Sequence, residues 1–354
     1  MFDPDTLAKL ATAHKDTLTL VCGIEDLLNS RFFDMREAVH CVMLAAMTGE
    51  SMVMIGPPGT AKSRLIRSFC NVINLLDNEA LAPPADHQPG LETVHEKYFE
   101  YLLTQFTEPS ELFGYFDLPR LFHTTKPDQV RNDVNMMQRA QVVFLDEVFN
   151  ASSAILNALL TFMNERKFHD RGQRVQTPLR LLFSATNHTP RDEGLAAVYD
   201  RFLLRCRLDN VPAKPERMAA MLDRAWTETH AAKLDHDSLA ERGTLLARLD
   251  GFRADVDHLS AQGALKINAD DPAFAMLADL AAELRRKELS ALSNRRLVKF
   301  SAVFMAEALL RSCRDGSFRP VIGAADLMTL LRYGLDEEDP GTVYKLAQHL
   351  GTAG

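Results

Sequence analysis

The sequence predicts an α/β protein with a parallel sheet, followed by an all-helical region. Three apolar runs, at residues 51–56, 142–147 and 179–187, have the composition of buried parallel strands. Amphipathic helical segments alternate with these runs, which indicates a parallel sheet covered by helices on both faces. Past about residue 210 no apolar strand-like run occurs, so we expect the rest of the chain to be helical.

Composition narrows the class of protein. The 354 residues are 46% hydrophobic and 25% charged, as in soluble globular proteins, and the net charge of −8 argues against broad nucleic-acid binding. No apolar run is long enough to span a membrane, and the acidic start MFDPDTLAKL does not resemble a signal peptide. The five cysteines are widely spaced, which favours free thiols in a reducing compartment, so we expect a cytoplasmic protein.

The elements can be justified in chain order. Residues 1 to about 50 are predicted to be helical, because apolar residues from Val39 to Ala46 share one helical face. The run 51–56 is the first strand. The apolar residues between Leu65 and Leu76 then recur every three or four positions, which predicts a helix with one buried stripe.

The middle of the chain continues this alternation. Residues 78–97 are polar and rich in proline, which is typical of a surface loop, and YFEYLLTQF predicts a second strand. SAILNALLTFMNER is an amphipathic helix between the runs at 142–147 and 179–187. The prolines of VPAKPER suggest a linker, so we divide the chain into an α/β domain, 1–210, and an all-α lid, 211–354.

The segment GPPGTAKS, residues 56–63, joins the first strand to the following helix. Backbone N–H groups in such a turn, together with the helix N-terminus, form a cradle for phosphate. Lys62 would reach the terminal phosphates of ATP, and the Ser63 hydroxyl would bind Mg²⁺. The predicted nucleotide-binding residues are Gly56, Pro57, Pro58, Gly59, Thr60, Ala61, Lys62, Ser63, Arg64 and Asp146.

Ala61 stands where the usual phosphate-binding loop has a glycine. Alanine is acceptable at a helix start with negative φ, so we expect a working variant of the loop and little change from Ala61→Gly.

Two acids end the second apolar run, and a carboxamide ends the third. Asp146 is placed to hold Mg²⁺, and Glu147 to orient and polarise the attacking water. Adjacent acids at the end of a buried strand are costly without a cationic partner. Asn187 can bond the γ-phosphate or the attacking water, although an ordinary strand-to-turn asparagine is the alternative interpretation.

Two arginine-bearing segments complete the candidate site. In YDRFLLRCR we expect Arg201 and Arg205 to lie four apart on one helical face, where an arginine finger could serve a neighbouring subunit. In SNRR, Ser293 is a candidate helix N-cap, which would put Arg295 in the first turn, pointing back at the phosphates. The alternative for both segments is ordinary helix-surface arginines.

Together these elements resemble the AAA+ ATPases, and within them the MoxR family. GPPGTAKS is similar to the family's Walker A motif, in which alanine before the lysine is common, and VFLDE to Walker B. SATN resembles sensor 1, DRF the arginine-finger helix and SNRR sensor 2. The similarity extends from about residue 30 to 345 and is greatest to the RavA-like branch, through YLLTQFTEPSELFGY, ILNALLTFMNER and VYDRFLLR.

The resemblance implies further features. It implies a helix-2 insert at about 113–140, a hairpin before sensor 1 at about 167–180, and a position near adenine for residues 33–39. It also implies a ring, usually a hexamer, with ATP and Mg²⁺ between subunits and Arg201 acting from the neighbouring subunit. Such rings commonly remodel or activate a protein client, often with a partner bearing a von Willebrand A domain. The chain stops soon after the predicted lid, so we do not carry over the partners of longer RavA-like proteins.

Two alternatives to a remodelling ATPase stay open from the sequence. One is a scaffold whose assembly is gated by ATP binding, with incidental turnover. The other is a DNA-directed motor subunit of the same clade, which the acidic net charge disfavours.

Overall fold

A five-stranded parallel sheet forms the centre of the protein in the computed structural model, with strand order β2–β3–β6–β1–β7. The structure describes residues 1–76, 97–118, 122, 131–170, 173–190, 192–211, 214–230, 236–337 and 339–352. The strands are β1 (Met52–Ile55), β2 (Tyr98–Leu102), β3 (Val142–Asp146), β4 (Lys167–Asp170), β5 (Gln173–Gln176), β6 (Leu181–Thr186) and β7 (Leu204–Arg207). The predicted α/β class is confirmed.

Helices precede, separate and follow the strands. In the first 210 residues they are α1 (Pro4–Ala13), α2 (Lys15–Arg31), α3 (Arg36–Thr48), α4 (Lys62–Val72), α5 (Pro109–Phe113), α6 (Ser153–Glu165) and α7 (Glu193–Tyr199). After them come α8 (Pro215–His230), α9 (His236–Arg242), α10 (Leu245–Ala261), α11 (Pro272–Arg286), α12 (Asn294–Arg314), α13 (Ala324–Tyr333) and α14 (Pro340–Thr352).

Alternate residues of the central strands supply two hydrophobic cores, one on each face of the sheet. Met52 and Met54 of β1 pack on one face with α2, α3 and α4, whereas Val53 and Ile55 pack on the other face with α5 and α6. The side-chain period of two in a strand accounts for this division. The strands therefore read as continuous apolar runs because both faces are covered.

Strand β7 is the element that the sequence prediction missed. We expected a helix through YDRFLLRCR, but α7 ends at Tyr199, and residues 204–207 pair in parallel with β1. The helical prediction for Arg201 and Arg205 is therefore wrong. The segment forms a strand because apolar and polar residues alternate in LRCR, so that Leu204 and Cys206 point into the core from the edge strand of the sheet.

Two other predicted features lie partly outside the described residues. The structure does not describe residues 77–96, which include almost all of the polar loop predicted at 78–97. Most of 119–130, within the predicted insert, also lies outside the described residues. At the predicted place of the hairpin, β4 and β5 pair antiparallel, with Lys167 opposite Gln176.

The C-terminal helices pack against the N-terminal ones. Helix α12 contacts both α2 and α3, and α10 contacts the same two helices. All five cysteine thiols are free; Cys313 is half-buried and the other four are buried. No helix in the described part of the chain has both the length and the apolar character needed to cross a membrane.

Candidate nucleotide site

The carboxyl ends of three neighbouring strands bring the predicted polar residues to one edge of the sheet. The register pairs Ile55 of β1 with Thr186 of β6, and Leu145 of β3 with Ser184 of β6. Because the strands are parallel, the residues that follow them lie at the same edge. We call the residues gathered there the strand-end group: Lys62, Ser63, Asp146, Glu147 and Asn187.

The loop between β1 and α4 has the close packing of a phosphate cradle. Gly56 has no room for a side chain, since a Cβ there would lie 2.2 Å from the Leu208 carbonyl oxygen, and Gly59 has a φ of +86°. The Lys62 ammonium donates to the carbonyl oxygens of Gly56 at 2.6 Å and Pro57 at 2.9 Å. It also lies 3.4 Å from Asn187 Oδ1, so the amine sits inside the loop and next to the end of β6.

Burial and neighbouring charge act on Lys62 in opposite directions. The side chain is only 7% exposed, and burial lowers its pKa, while Asp146 and Glu147 raise it. A cation held beside two carboxylates is the partner that the adjacent acids require.

Ser63 and Asp146 offer two oxygens side by side. The Ser63 hydroxyl donates to Asp146 Oδ2 at 3.1 Å, and Asp146 Oδ1 accepts from the Glu147 backbone N–H at 3.0 Å. Hard oxygen donors of this type suit Mg²⁺, which usually takes one or two protein ligands together with phosphate oxygens and water. The residues present therefore fit a magnesium–nucleotide complex.

Glu147 has an unusual backbone and a perturbed carboxyl. Its φ and ψ are +52° and +44°, a left-handed conformation that costs a non-glycine residue roughly 1–2 kcal/mol and is found most often at functional sites. Burial and the charge of Asp146 raise the pKa of Glu147, against the opposing effects of the Asn187 backbone N–H and Lys62. Asn150 Nδ2 donates to the same carboxylate at 3.3 Å. A carboxyl of raised pKa beside the phosphate cradle is suited to accept a proton.

Ala61 corrects our expectation for the loop. Its φ is +59° and its ψ +25°, so it is left-handed, and the predicted negative φ is wrong. The loop does need a positive φ before Lys62, and alanine meets that need at a conformational cost that glycine would avoid.

A cavity of about 560 Å³ opens beside the loop. It lies between Gly59–Ala61, residues 31–38 and the start of the C-terminal helices. Arg64, which we predicted to contact nucleotide, also lines it, and the resemblance led us to expect residues 33–39 near adenine. Sequence reasoning missed Arg217, Met221 and Ala225 of α8, although their spacing of four is a helical signal that could have revealed one shared face.

The candidate arginines differ in burial: Arg201 and Arg295 are half-buried, whereas Arg205 is buried. Arg201 lies in a turn after α7, pairs with Asp200 at 3.6 Å, and is 26% exposed. Burial and neighbouring Arg295 lower its pKa, so the structure places these two predicted arginines next to each other. Arg205, in contrast, is buried in β7 with only 2% exposed. Its guanidinium is therefore enclosed by protein, whereas that of Arg201 is half-buried.

Ser293 caps α12 as predicted. Its side chain accepts from the Arg296 backbone N–H at 3.3 Å, which places Arg295 in the first turn of the helix. Arg296 itself is 1% exposed, and we did not single out this buried residue from the sequence.

Curated relatives match about half of the chain. Two uncharacterized proteins of Methanocaldococcus jannaschii are each 37% identical over 182 residues, 51% of this chain and 43% or 42% of theirs. A structural protein of Acidianus two-tailed virus is 28% identical over 175 residues, 48% of this chain and 25% of its own. The chain thus spans less than half the length of these relatives.

A solved structure and a family model cover more of the chain. A Cytophaga hutchinsonii protein described as a "putative ATPase" aligns over 98% of this chain and 95% of its own, with a TM-score of 0.58 and 14% identity, and this likeness shows a shared fold. Residues 20–81 and 90–248 match the model of the MoxR domain found in the MoxR–vWA–β-propeller ternary systems. The chain therefore belongs to the MoxR family of AAA+ ATPases.

Proposed function

We propose that this protein binds Mg·ATP at the strand-end group and hydrolyses it. The observation that carries the proposal is the 3.1 Å contact between Ser63 and Asp146, two magnesium-type oxygens set beside Lys62 and Glu147. These four side chains come from the segments that follow β1 and end β3, two strands that lie on either side of β6 in the parallel sheet. An ATP-hydrolysing site needs this combination of cation, metal ligands and base.

Each residue has a proposed role. The loop from Gly56 to Ala61 binds the phosphates through its N–H groups, and Lys62 turns from the loop carbonyls to the terminal phosphates. Ser63 and Asp146 hold Mg²⁺, which would neutralise phosphate charge. Glu147 accepts a proton from the attacking water, and Asn187 orients that water or the γ-phosphate.

We further propose that Arg201 acts on the site of a neighbouring subunit in a ring, usually a hexamer. We also propose that Arg295, in the first turn of α12 in the lid, points back at the phosphates. The place of Arg201 in the turn after α7, where its side chain is 26% exposed, supports the first role. Cationic side chains at such positions stabilise charge on the phosphoryl group that is transferred. We place the boundary between the α/β domain and the lid at residues 210–211, between β7 and α8.

The proposed output is the remodelling or activation of a partner protein. The family model carries the description of ternary systems with von Willebrand A and β-propeller components, which supports a von Willebrand A partner. The segments at 101–115 and 155–166 support placement in the RavA-like branch, and a phylogenetic tree of the family tests that placement. The cytoplasmic location stays a prediction.

ATP turnover and nucleotide binding, measured side by side, test this function. We expect Lys62→Ala to abolish both, and Glu147→Gln to keep binding while losing hydrolysis. Arg286→Ala is the matched control, because Arg286 is a surface arginine paired with Glu283, and it should leave both unchanged. A wild-type protein without ATP turnover, or full turnover by Glu147→Gln, would contradict the proposal.

A further inference from the structure

We propose that Asp336 is a positioning residue that fixes Arg201 and Arg295 relative to each other. The inference rests on the proposed function, since it assigns those two arginines to the ATPase site. It concerns a carboxylate in the acidic run DEED, which from the sequence alone looks like an ordinary solvated segment. We call Asp336 and the four arginines 201, 205, 295 and 296 the arginine junction.

Arg205 holds the chain on both sides of Arg201. Its Nη2 donates to the Tyr199 carbonyl at 2.9 Å, and its Nε donates to the Phe202 carbonyl at 3.1 Å. The guanidinium also lies over the Tyr199 ring, 3.7 Å from its centroid. The turn that presents Arg201 is thus clamped by a buried cation, and whatever fixes Arg205 fixes that turn.

Asp336 is what fixes Arg205. Its Oδ1 forms an ion pair with Arg205 Nη1 and accepts from Arg296 Nη1 at 2.9 Å. Its Oδ2 accepts from the Ala291 backbone N–H at 2.7 Å and from the Ser290 hydroxyl at 3.0 Å. One carboxylate therefore joins strand β7 to the segment that leads into α12.

Arg296 carries the connection to Arg295. It neighbours Arg295 in the first turn of α12, and its Nη2 donates to the Gly334 carbonyl at 2.7 Å. The start of the same helix touches the Arg201 turn directly, since the Ser293 hydroxyl lies 3.4 Å from Asp200 Oδ1. Arg201 and Arg295, both half-buried, are thus attached through a buried arginine neighbour to the same carboxylate.

The charge balance makes Asp336 essential to this arrangement. Arg205 and Arg296 are 2% and 1% exposed, and Asp336 is 22% exposed. Burial and the nearby Arg296 lower the pKa of Arg205 to about 9. Without this carboxylate the two buried cations would face each other with the charge of the half-buried Asp200 to offset theirs, and incompletely compensated buried charge is unfavourable. We expect β7 and α12 to move apart, which would misplace Arg201 and Arg295.

Asp336→Asn tests the inference because it keeps the size of the side chain and removes its charge. Asp326→Asn is the matched control: Asp326 is a fully buried aspartate in the same C-terminal region, paired with Arg311 at 2.9 Å. We expect Asp336→Asn to lower kcat at least tenfold relative to the control, while binding of a fluorescent ATP analogue weakens less than threefold.

Hydrogen exchange gives a second reading that does not depend on turnover. The Arg201 and Leu297 amides donate to the Val198 and Ser293 carbonyls, and we expect both to exchange faster in Asp336→Asn but not in Asp326→Asn. Equal kcat in the two variants, or unchanged exchange at both amides, would overturn the inference. If the wild type hydrolyses no ATP, the proposed function fails, and exchange alone decides whether Asp336 holds the two segments.

Discussion

The strand-end group and the arginine junction belong to one proposed site, but the chain builds them in different ways. The strand-end group needs only three consecutive carboxyl ends of a parallel sheet, which place Lys62, Asp146 and Asn187 together. The arginine junction joins an edge strand to the C-terminal helices through Asp336, with Arg205 and Asp336 far apart in sequence. The first can be predicted from the pattern of strands and the residues that follow them, whereas the second depends on how an edge strand and distant helices pack.

The difference shows at which positions the role of a charged residue can be predicted from the sequence. At the strand ends, charged residues follow apolar strands and face a shared edge, so their exposure and role follow from the sheet. At the junction, two arginines four residues apart differ in burial: the side chain of Arg201 is 26% exposed, whereas Arg205 is 2% exposed. Spacing along the chain does not distinguish them, because burial is decided by what packs over β7.

The largest expected effect is a loss of turnover, and it tests whether Arg201 and the strand-end group of one site come from different subunits. Arg201→Ala should lower kcat by about 10³-fold or more, as expected for an arginine finger, with little change in stability. Mixed with Glu147→Gln subunits, it should recover activity, because some interfaces then combine an intact Arg201 with an intact Glu147. ATP turnover of co-assembled variants is the measurement. No recovery, in assemblies shown to mix, would place Arg201 in its own subunit's site or outside catalysis.

Arg205 should behave as a structural residue. Arg205→Met removes a buried cation that clamps Tyr199 and Phe202 and leaves part of the Asp336 charge without a partner, so the free energy of unfolding should fall by roughly 4 kcal/mol. Arg201→Ala should change it by less than about 1 kcal/mol. Urea unfolding of both variants measures the difference. Equal stability of the two variants would contradict the division between the buried Arg205 and the half-buried Arg201.

A third charged cluster sharpens the same comparison, because it too joins distant parts of the chain. His40 lies between Glu25 Oε1 at 3.0 Å and Glu307 Oε2 at 2.5 Å, and Arg314 pairs with Glu25. Burial lowers the pKa of His40, but the hydrogen bonds and charges of the two glutamates outweigh it and raise the pKa to about 10. The imidazolium is therefore favoured in the folded protein.

The sign of the pH dependence follows from this raised pKa. The stabilisation is complete below pH about 6.5, the unfolded pKa, and is lost as pH rises through 10, so that it falls by roughly 4 kcal/mol between pH 6 and pH 10. Unfolding free energies at pH 6 and pH 10 should differ by this amount more in the wild type than in His40→Gln. His14→Gln, which removes a histidine bound to the exposed Asp255, is the control. Parallel pH curves for wild type and His40→Gln would contradict the assignment.

The smallest expected effect lies within the phosphate loop. Ala61→Gly removes the cost of a left-handed alanine, so stability should rise by about 1 kcal/mol or less. ATP binding should change less than threefold, because the backbone conformation is already the one that the loop adopts. Thermal unfolding and nucleotide titration measure the two quantities. A tenfold gain in affinity would mean that Ala61 impairs the loop.

The sequence predicted the parts of the fold that depend on period and local chemistry. Buried strands such as 52–55 and 142–146 can be recognised in the sequence because the residues on both of their faces are apolar. The Ser293 cap can be recognised because serine is a preferred residue before the first turn of a helix. Strand β7 was not predicted because Arg201 and Arg205 are four residues apart, a spacing that is typical of a helix, although LRCR alternates as a strand does. The left-handed Ala61 and the role of Asp336 escaped because backbone sign and burial depend on contacts with distant segments.

Single-turnover hydrolysis of bound ATP by wild type and Glu147→Gln tests the central claim most directly. Both proteins are loaded with Mg·ATP, and the loss of ATP is followed in the same preparation. If Glu147 activates water beside Lys62 and Asp146, the wild type should hydrolyse its ATP at least 10²-fold faster, at equal nucleotide occupancy. Equal rates in the two proteins, or no hydrolysis by a fully loaded wild type, would contradict the account.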